Sequence, residues 1–237
     1  MIKDIILHLE RDASRDAVRD FAISTAETFA AHLTGVSEAF TAMVPNYILP
    51  DFPANILADL LAESETAARS AIERFEATAK RSGVSAEARL ILQSDFGPPR
   101  TFSEAARHFD LSVIMQSDDD RGFNNDLLIE ATLFDSGRPL IVVPYTERSG
   151  LKLDRIVCCW DGSRAAARAI NDALPLLRKA NGVELFIVAN EKTADEQVLR
   201  GADIARHLAR HDVKVEVETT PAADVDVANV ILSHVAD

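Results

Sequence analysis

Three groups of residues have the types and spacing to do chemistry. The first is Cys158-Cys159-Trp160-Asp161-Gly162-Ser163. Asp161 can accept hydrogen bonds from a ribose or a base, and Gly162 permits a tight turn and close backbone approach. Ser163 can cap a following helix, whose N-terminus favours anions. The same triplet is also ordinary turn-and-cap chemistry, so both readings stay open on these residues alone. Adjacent cysteines in a strand point to opposite faces and form neither a CxxC motif nor a disulfide framework. Both are expected to be small buried core residues. The second group, Asp118-Asp119-Asp120, reads as a solvated acidic loop with some capacity for a cation. The third, Asp203, His207 and His211, recurs every four residues on one helical face. Without HExxH, and with Ile204 and Leu208 opposite, it reads as polar surface, and no metal site is expected.

The sequence has no GxSxG, no GxxxxGK[ST] and no SGGxDS-like loop, so no residue is assigned a catalytic role. A net charge of −13 repels phosphate backbones and argues against nucleic-acid partners. No run approaches the ~20 apolar residues of a membrane span. The opening MIKDIILHLERD is too short in its apolar part for a secretory signal, which makes the cytoplasm the expected location.

The residues above need scaffolding, and the chain supplies it twice. DIILHLERDASRDAVRDFA near the start matches DRIVCCWDGSRAAARAIND from Asp154, allowing one extra residue in the first copy. Further matches keep the same order: Gly35-Val36 with Gly182-Val183, Gly83-Val84 with Asp212-Val213, and Asp110 with Asp237. In the first copy, strands are expected at Ile5 to Leu9, Ala86 to Leu92, Leu111 to Met115 and Leu140 to Val143. A helix capped by Ser14 carries Val18, Phe21, Ala22, Thr25, Phe29, His32 and Leu33 on one face. Further helices are expected at Asn55 to Arg81, with Leu57, Leu60, Leu61, Ala68, Ile72 and Phe75 inward, at Pro99 to Phe109 and at Asp126 to Leu133. The second copy predicts strands at Arg155 to Trp160, Val183 to Ala189 and Lys214 to Thr219. Its helices fall at Ser163 to Arg178, kinked at Pro175, Gly201 to His211 and Asp226 to Val235. Alternating β and α gives an α/β fold: two tandem doubly wound parallel-sheet domains, flavodoxin-like or Rossmann-like. The domains are 1–146 and 151–237, joined by the polar linker Tyr145 to Gly150. The second is incomplete, because nothing after Asp237 matches Leu111 to Tyr145. Phe40 to Leu57, rich in apolar residues and proline, has no counterpart and is expected to pack against the domain.

IVCCWDGS (Ile156 to Ser163), ALPLL (Ala173 to Leu177), VELFIVAN (Val183 to Asn190) and GRPLIVVP (Gly137 to Pro144) with its linker, in duplicated order, resemble a tandem universal stress protein. The resemblance implies a five-stranded parallel sheet and, as in many members, ATP binding. It matches Asp161 and Val188 to the positions that hold adenosine, with Gly162 and Ser163 completing the turn. Family members wrap the phosphates with G-x-x-G, nine residues, then G-[ST], after the fourth strand. The first half has Gln116, Ser117 and three aspartates there, Gly122 and Gly137 fall at other spacings, and Asp12-Ala13-Ser14 lacks the glycine. A nucleotide site is therefore expected only in the second half. The implied function is a non-catalytic stress-response or regulatory protein that binds adenine nucleotide and self-associates, as a homodimer, with no metal. The alternatives are a nucleotide hydrolase or other small-molecule enzyme on the same scaffold, and a partner-binding protein without nucleotide.

Overall fold

The computed structural model describes residues 1–39, 54–92, 98–118, 124–189, 194–221 and 226–236. The chain divides into two compact units, Met1–Leu151 and Lys152–Asp237. Most of the apolar segment Phe40 to Leu57, together with Asp119, Asp120, Gly122 and Asp237, lies outside the described residues.

The first unit is built on five parallel strands: β1 (Asp4–His8), β2 (His32–Ala39), β3 (Ala86–Leu92), β4 (Leu111–Met115) and β5 (Leu140–Val143). Their order is β3-β2-β1-β4-β5, the Rossmann arrangement, which reverses direction between β1 and β4. Four helices accompany them: α1 (Ala17–Phe29), α2 (Ala54–Ser82), α3 (Pro98–Ala106) and α4 (Asp126–Asp135). β1 is apolar throughout its middle because a parallel strand is covered on both faces; Ile5, Ile6 and Leu7 are fully buried. The Asp110 carboxylate accepts the backbone N–H groups of Lys3 at 2.8 Å and Asp4 at 3.1 Å, fixing the start of β1 beside β4. On β2, Gly35 leaves room for Phe75 of α2: a Cβ there would stand 2.8 Å from the phenyl ring.

Two first-unit expectations change. Ser14 caps no helix; it lies in a short 3-10 turn whose cap is Asp12, and α1 starts after Asp16. His32 and Leu33 belong to β2, since the chain leaves α1 through a left-handed Ala30 (φ 48°). The buried face of α1 is instead Val18, Phe21, Ala22, Ile23, Thr25, Ala26 and Phe29.

The second unit has three parallel strands, β6 (Arg155–Cys159), β7 (Gly182–Ala189) and β8 (Val215–Pro221), in the order β6-β7-β8. Its helices are α5 (Arg164–Leu177), α6 (Ala194–Arg210) and α7 (Val227–Ala236). Leu174 and Leu177 of α5, Leu185 and Ile187 of β7, and Leu208 of α6 form its core. Pro175 sits in the last turn of α5. The helix expected from Gly201 begins earlier, at Ala194; Gly201 is a contact residue, because a Cβ there would stand 2.5 Å from Ile187 Cδ1.

The strand ladders align the two units residue by residue. Leu9 N–H donates to the Val36 carbonyl as Trp160 N–H donates to that of Phe186. Leu9 therefore stands where Trp160 does, and Val36 where Phe186 does. His32, not Gly35, occupies the position of Gly182. The Gly83 and Asp212 match holds: both are left-handed, φ 70° and 62°, and both close a helix the same way. Val84 N–H reaches back to Ala79 O and Val213 N–H to Leu208 O, each at 3.1 Å.

Candidate functional site

The carboxyl ends of β1 and β2 and the loop after β4 border a crevice of about 830 Å³ in the first unit, beside the β1/β4 switch point. Open α/β sheets bind ligands at that place. β1 runs directly into it as His8-Leu9-Glu10-Arg11. Arg74 of α2 donates to the carbonyls of Glu10 (3.3 Å) and Arg11 (3.2 Å) and pairs with Asp16 at 3.0 Å, holding the loop against α2. Arg11 donates to Ser64 Oγ at 2.8 Å, and Leu60, expected inward, is 39 % exposed and lines the same space.

Inside the crevice the polar groups are interlocked. Glu10 Oε1 meets His8 Nδ1 at 3.3 Å and accepts from Asn125 Nδ2 at 3.0 Å. Asn125 Nδ2 also donates to the Met115 carbonyl at 3.0 Å, and its backbone N–H donates to Ser117 Oγ at 2.9 Å. The His8 ring meets Phe102 edge-on at 5.5 Å. Burial alone would lower the His8 imidazole; the hydrogen bond and charge of Glu10, with the charge of Glu38, outweigh it and raise it above its ordinary value. Glu38 differs from the rest. It is 5 % exposed, and among the described residues neither of its carboxylate oxygens has a hydrogen-bond partner. Burial, partly offset by the charges of His8 and Arg11, pushes its carboxyl up to about 7. Asp118, expected in a solvated loop, is buried at the end of β4.

In the second unit Asp161 is exposed, and its Oδ1 accepts the Ser163 N–H at 2.8 Å. Ser163's hydrogen bonds hold the Asp161 carboxyl below its usual range. Gly162 is left-handed at φ 79°, and Ser163 Oγ accepts from Ala166 N–H at 3.1 Å, capping α5. Val188 lies half-buried near the carboxyl end of β7. Of the two cysteines only Cys158 is buried, and burial pushes its thiol up to about 11; Cys159 is exposed, on the opposite face of β6. His211 lies 3.1 Å from Arg178, and its ring meets that of His207 at 4.7 Å. A different trio, Glu184, Glu218 and His234, brings ligand-type atoms within 4.8 Å of one another. There Glu184 already carries the Arg155 guanidinium at 2.5 Å, and His234 stacks on Phe186 at 3.9 Å.

No protein-family model matches the sequence, and no curated protein does either. Solved structures do. A universal stress protein from Archaeoglobus fulgidus DSM 4304 is 15% identical, with a TM-score of 0.59 over 93% of this chain and 77% of that one. A functionally unknown protein from Pseudomonas aeruginosa PAO1 is 13% identical, with a TM-score of 0.57 over 99% of this chain and 78% of that one. The chain has the universal stress protein fold. Within this fold the ladder alignment locates first-unit residues that the sequence reading missed. Glu10 follows Leu9 as Asp161 follows Trp160, and Glu38 lies two residues beyond Val36 as Val188 lies two beyond Phe186. The first unit thus carries two extra residues, Glu10 and Arg11, before its Asp12–Ser14 turn, where one was expected. That turn repeats the second unit's bond, Ser14 N–H to Asp12 Oδ1 at 2.9 Å. The signal available in sequence was a glutamate at the end of each of two apolar runs, LHLE and GVSEA.

Proposed function

We propose that this protein works by binding a small molecule, as a non-catalytic regulatory protein of the stress-response kind, rather than by transforming one. The observation that carries the reading is the crevice at the β1/β4 switch point. Three of its titratable groups are engaged with neighbours, His8 with Glu10, Glu10 with Asn125 and Arg11 with Ser64, while Glu38 has no hydrogen-bond partner among the described residues. Such an arrangement is suited to recognition, and occupancy would shift the balance between conformations seen by a partner. Residence in the cytoplasm is part of the proposal; the exposed free thiol of Cys159 suits a reducing compartment.

Adenine-nucleotide binding in the second unit is a second reading, favoured by the geometry of the Asp161 turn. Exposed Asp161 would hold the ribose or base, left-handed Gly162 brings the backbone close, Ser163 presents the capped start of α5, and Val188 offers an apolar contact. Calorimetry with ATP on the full chain tests it. Binding heat that is lost in Asp161→Ala is expected. No heat and no thermal shift at millimolar ATP would remove nucleotide from the proposal.

A further inference from the structure

We infer that the first-unit crevice takes a small organic cation, a protonated amine or guanidinium seated against Glu38. This rests on the ligand-binding reading above and narrows it to a chemical class. Glu38 lines the crevice, is 5 % exposed and has, among the described residues, no hydrogen-bond partner for either carboxylate oxygen. A buried carboxylate without a donor is costly, more so than a neutral polar group. Among the described residues the nearby donors are committed elsewhere, Arg11 to Ser64 among them. Both amide hydrogens of Asn125 go to Glu10 and Met115, His8 lies on Glu10, and Arg74 is engaged by Asp16 and the loop carbonyls. In this reading a ligand supplies the donor that completes the site.

Charge sets the sign of that ligand. Glu10, Asp12, Glu38 and Glu63 line the crevice against Arg11 and Arg15, a balance that disfavours phosphate and attracts a cation. Spacing decides between an ion and a molecule. Among the described residues only Glu184, Glu218 and His234 gather three ligand-type atoms within 4.8 Å, so the crevice carboxylates stand too far apart to wrap a bare metal ion. The crevice volume, about 830 Å³, is that of a small-molecule site. Register adds a third argument: where the second unit places apolar Val188, the first places a carboxylate.

The test is calorimetry on the full chain at pH 8 with putrescine, spermidine and agmatine, and with ATP and adenosine as contrasting probes. At least one amine is expected to bind with submillimolar Kd. Glu38→Gln keeps the shape, removes the charge and is expected to weaken that binding about tenfold or more. Its thermal melt, unchanged or raised, separates lost binding from lost folding. Amine binding equally tight in Glu38→Gln overturns the inference. ATP or adenosine binding without any amine also overturns it, while leaving the ligand-binding reading in place. If no probe binds, the inference and that reading both fall.

Discussion

Glu38 is the residue on which most of the chemistry turns. Its carboxyl is held near 7 in the folded protein, against an ordinary value of 4.5 in the unfolded chain. Between those values the folded state keeps a proton that the unfolded state has released, so stability falls as pH rises through this window; above about 7 the loss is complete. A gap of that size is worth roughly 3 kcal/mol. Glu38→Gln should therefore be the more stable protein at pH 8 and should approach wild type at pH 4; urea unfolding at both values checks it, and equal stability at pH 8 would contradict it. His8 acts in the same sense, its contribution being lost as pH rises through its raised value; the part that comes from the Glu38 charge is absent in Glu38→Gln. Neither Glu38 nor Glu10 was legible as a site residue. A glutamate alternating with apolar residues reads as the solvent face of a strand, but β2 is covered on both faces. Glu10 acquires its role from Asn125, 115 residues away, which no local pattern reveals. The turn and cap geometry of Asp161, Gly162 and Ser163 was legible because its bonds are local.

Strands were read more accurately than helix starts. β3, β4 and β5 fall at their expected bounds; β4 and β5 are short, mainly apolar runs that admit few alternatives, and β3 alternates charged and apolar residues before its Leu-Ile-Leu end. The end of α1 was blurred because His32 and Leu33 of β2 continue its helical spacing across the left-handed turn at Ala30. β6 carries a consequence for assembly. Among the described residues it pairs only with β7, and its ladder uses the N–H of Trp160, so by strand periodicity the N–H groups of Val157 and Cys159 point away from β7. Self-association through this edge is expected. Sedimentation velocity should show average mass rising with concentration, and Val157→Pro, which spares the β7 ladder, should abolish the rise. A monomer at all concentrations would remove the edge from the proposal.

The two units solve the same folding problem with different residues. In one a strand glycine admits Phe75 from a helix; in the other a helix glycine admits Ile187 from a strand. In the proposed readings a ligand sits at the carboxyl ends of β strands in each unit, against buried carboxylates in the first and an exposed aspartate turn in the second. A chain with net charge −13 draws cations and disfavours anions throughout, which agrees with the charge of the crevice. The decisive observation is therefore the ionisation of one buried carboxyl in the intact protein. Carbon-13 NMR can follow the Glu38 carboxyl, assigned by its absence in Glu38→Gln, through a pH titration with and without saturating spermidine. A midpoint near 7 that drops toward the ordinary carboxylate range when spermidine is present is the predicted result. A midpoint unmoved by spermidine would contradict a cation seated against Glu38.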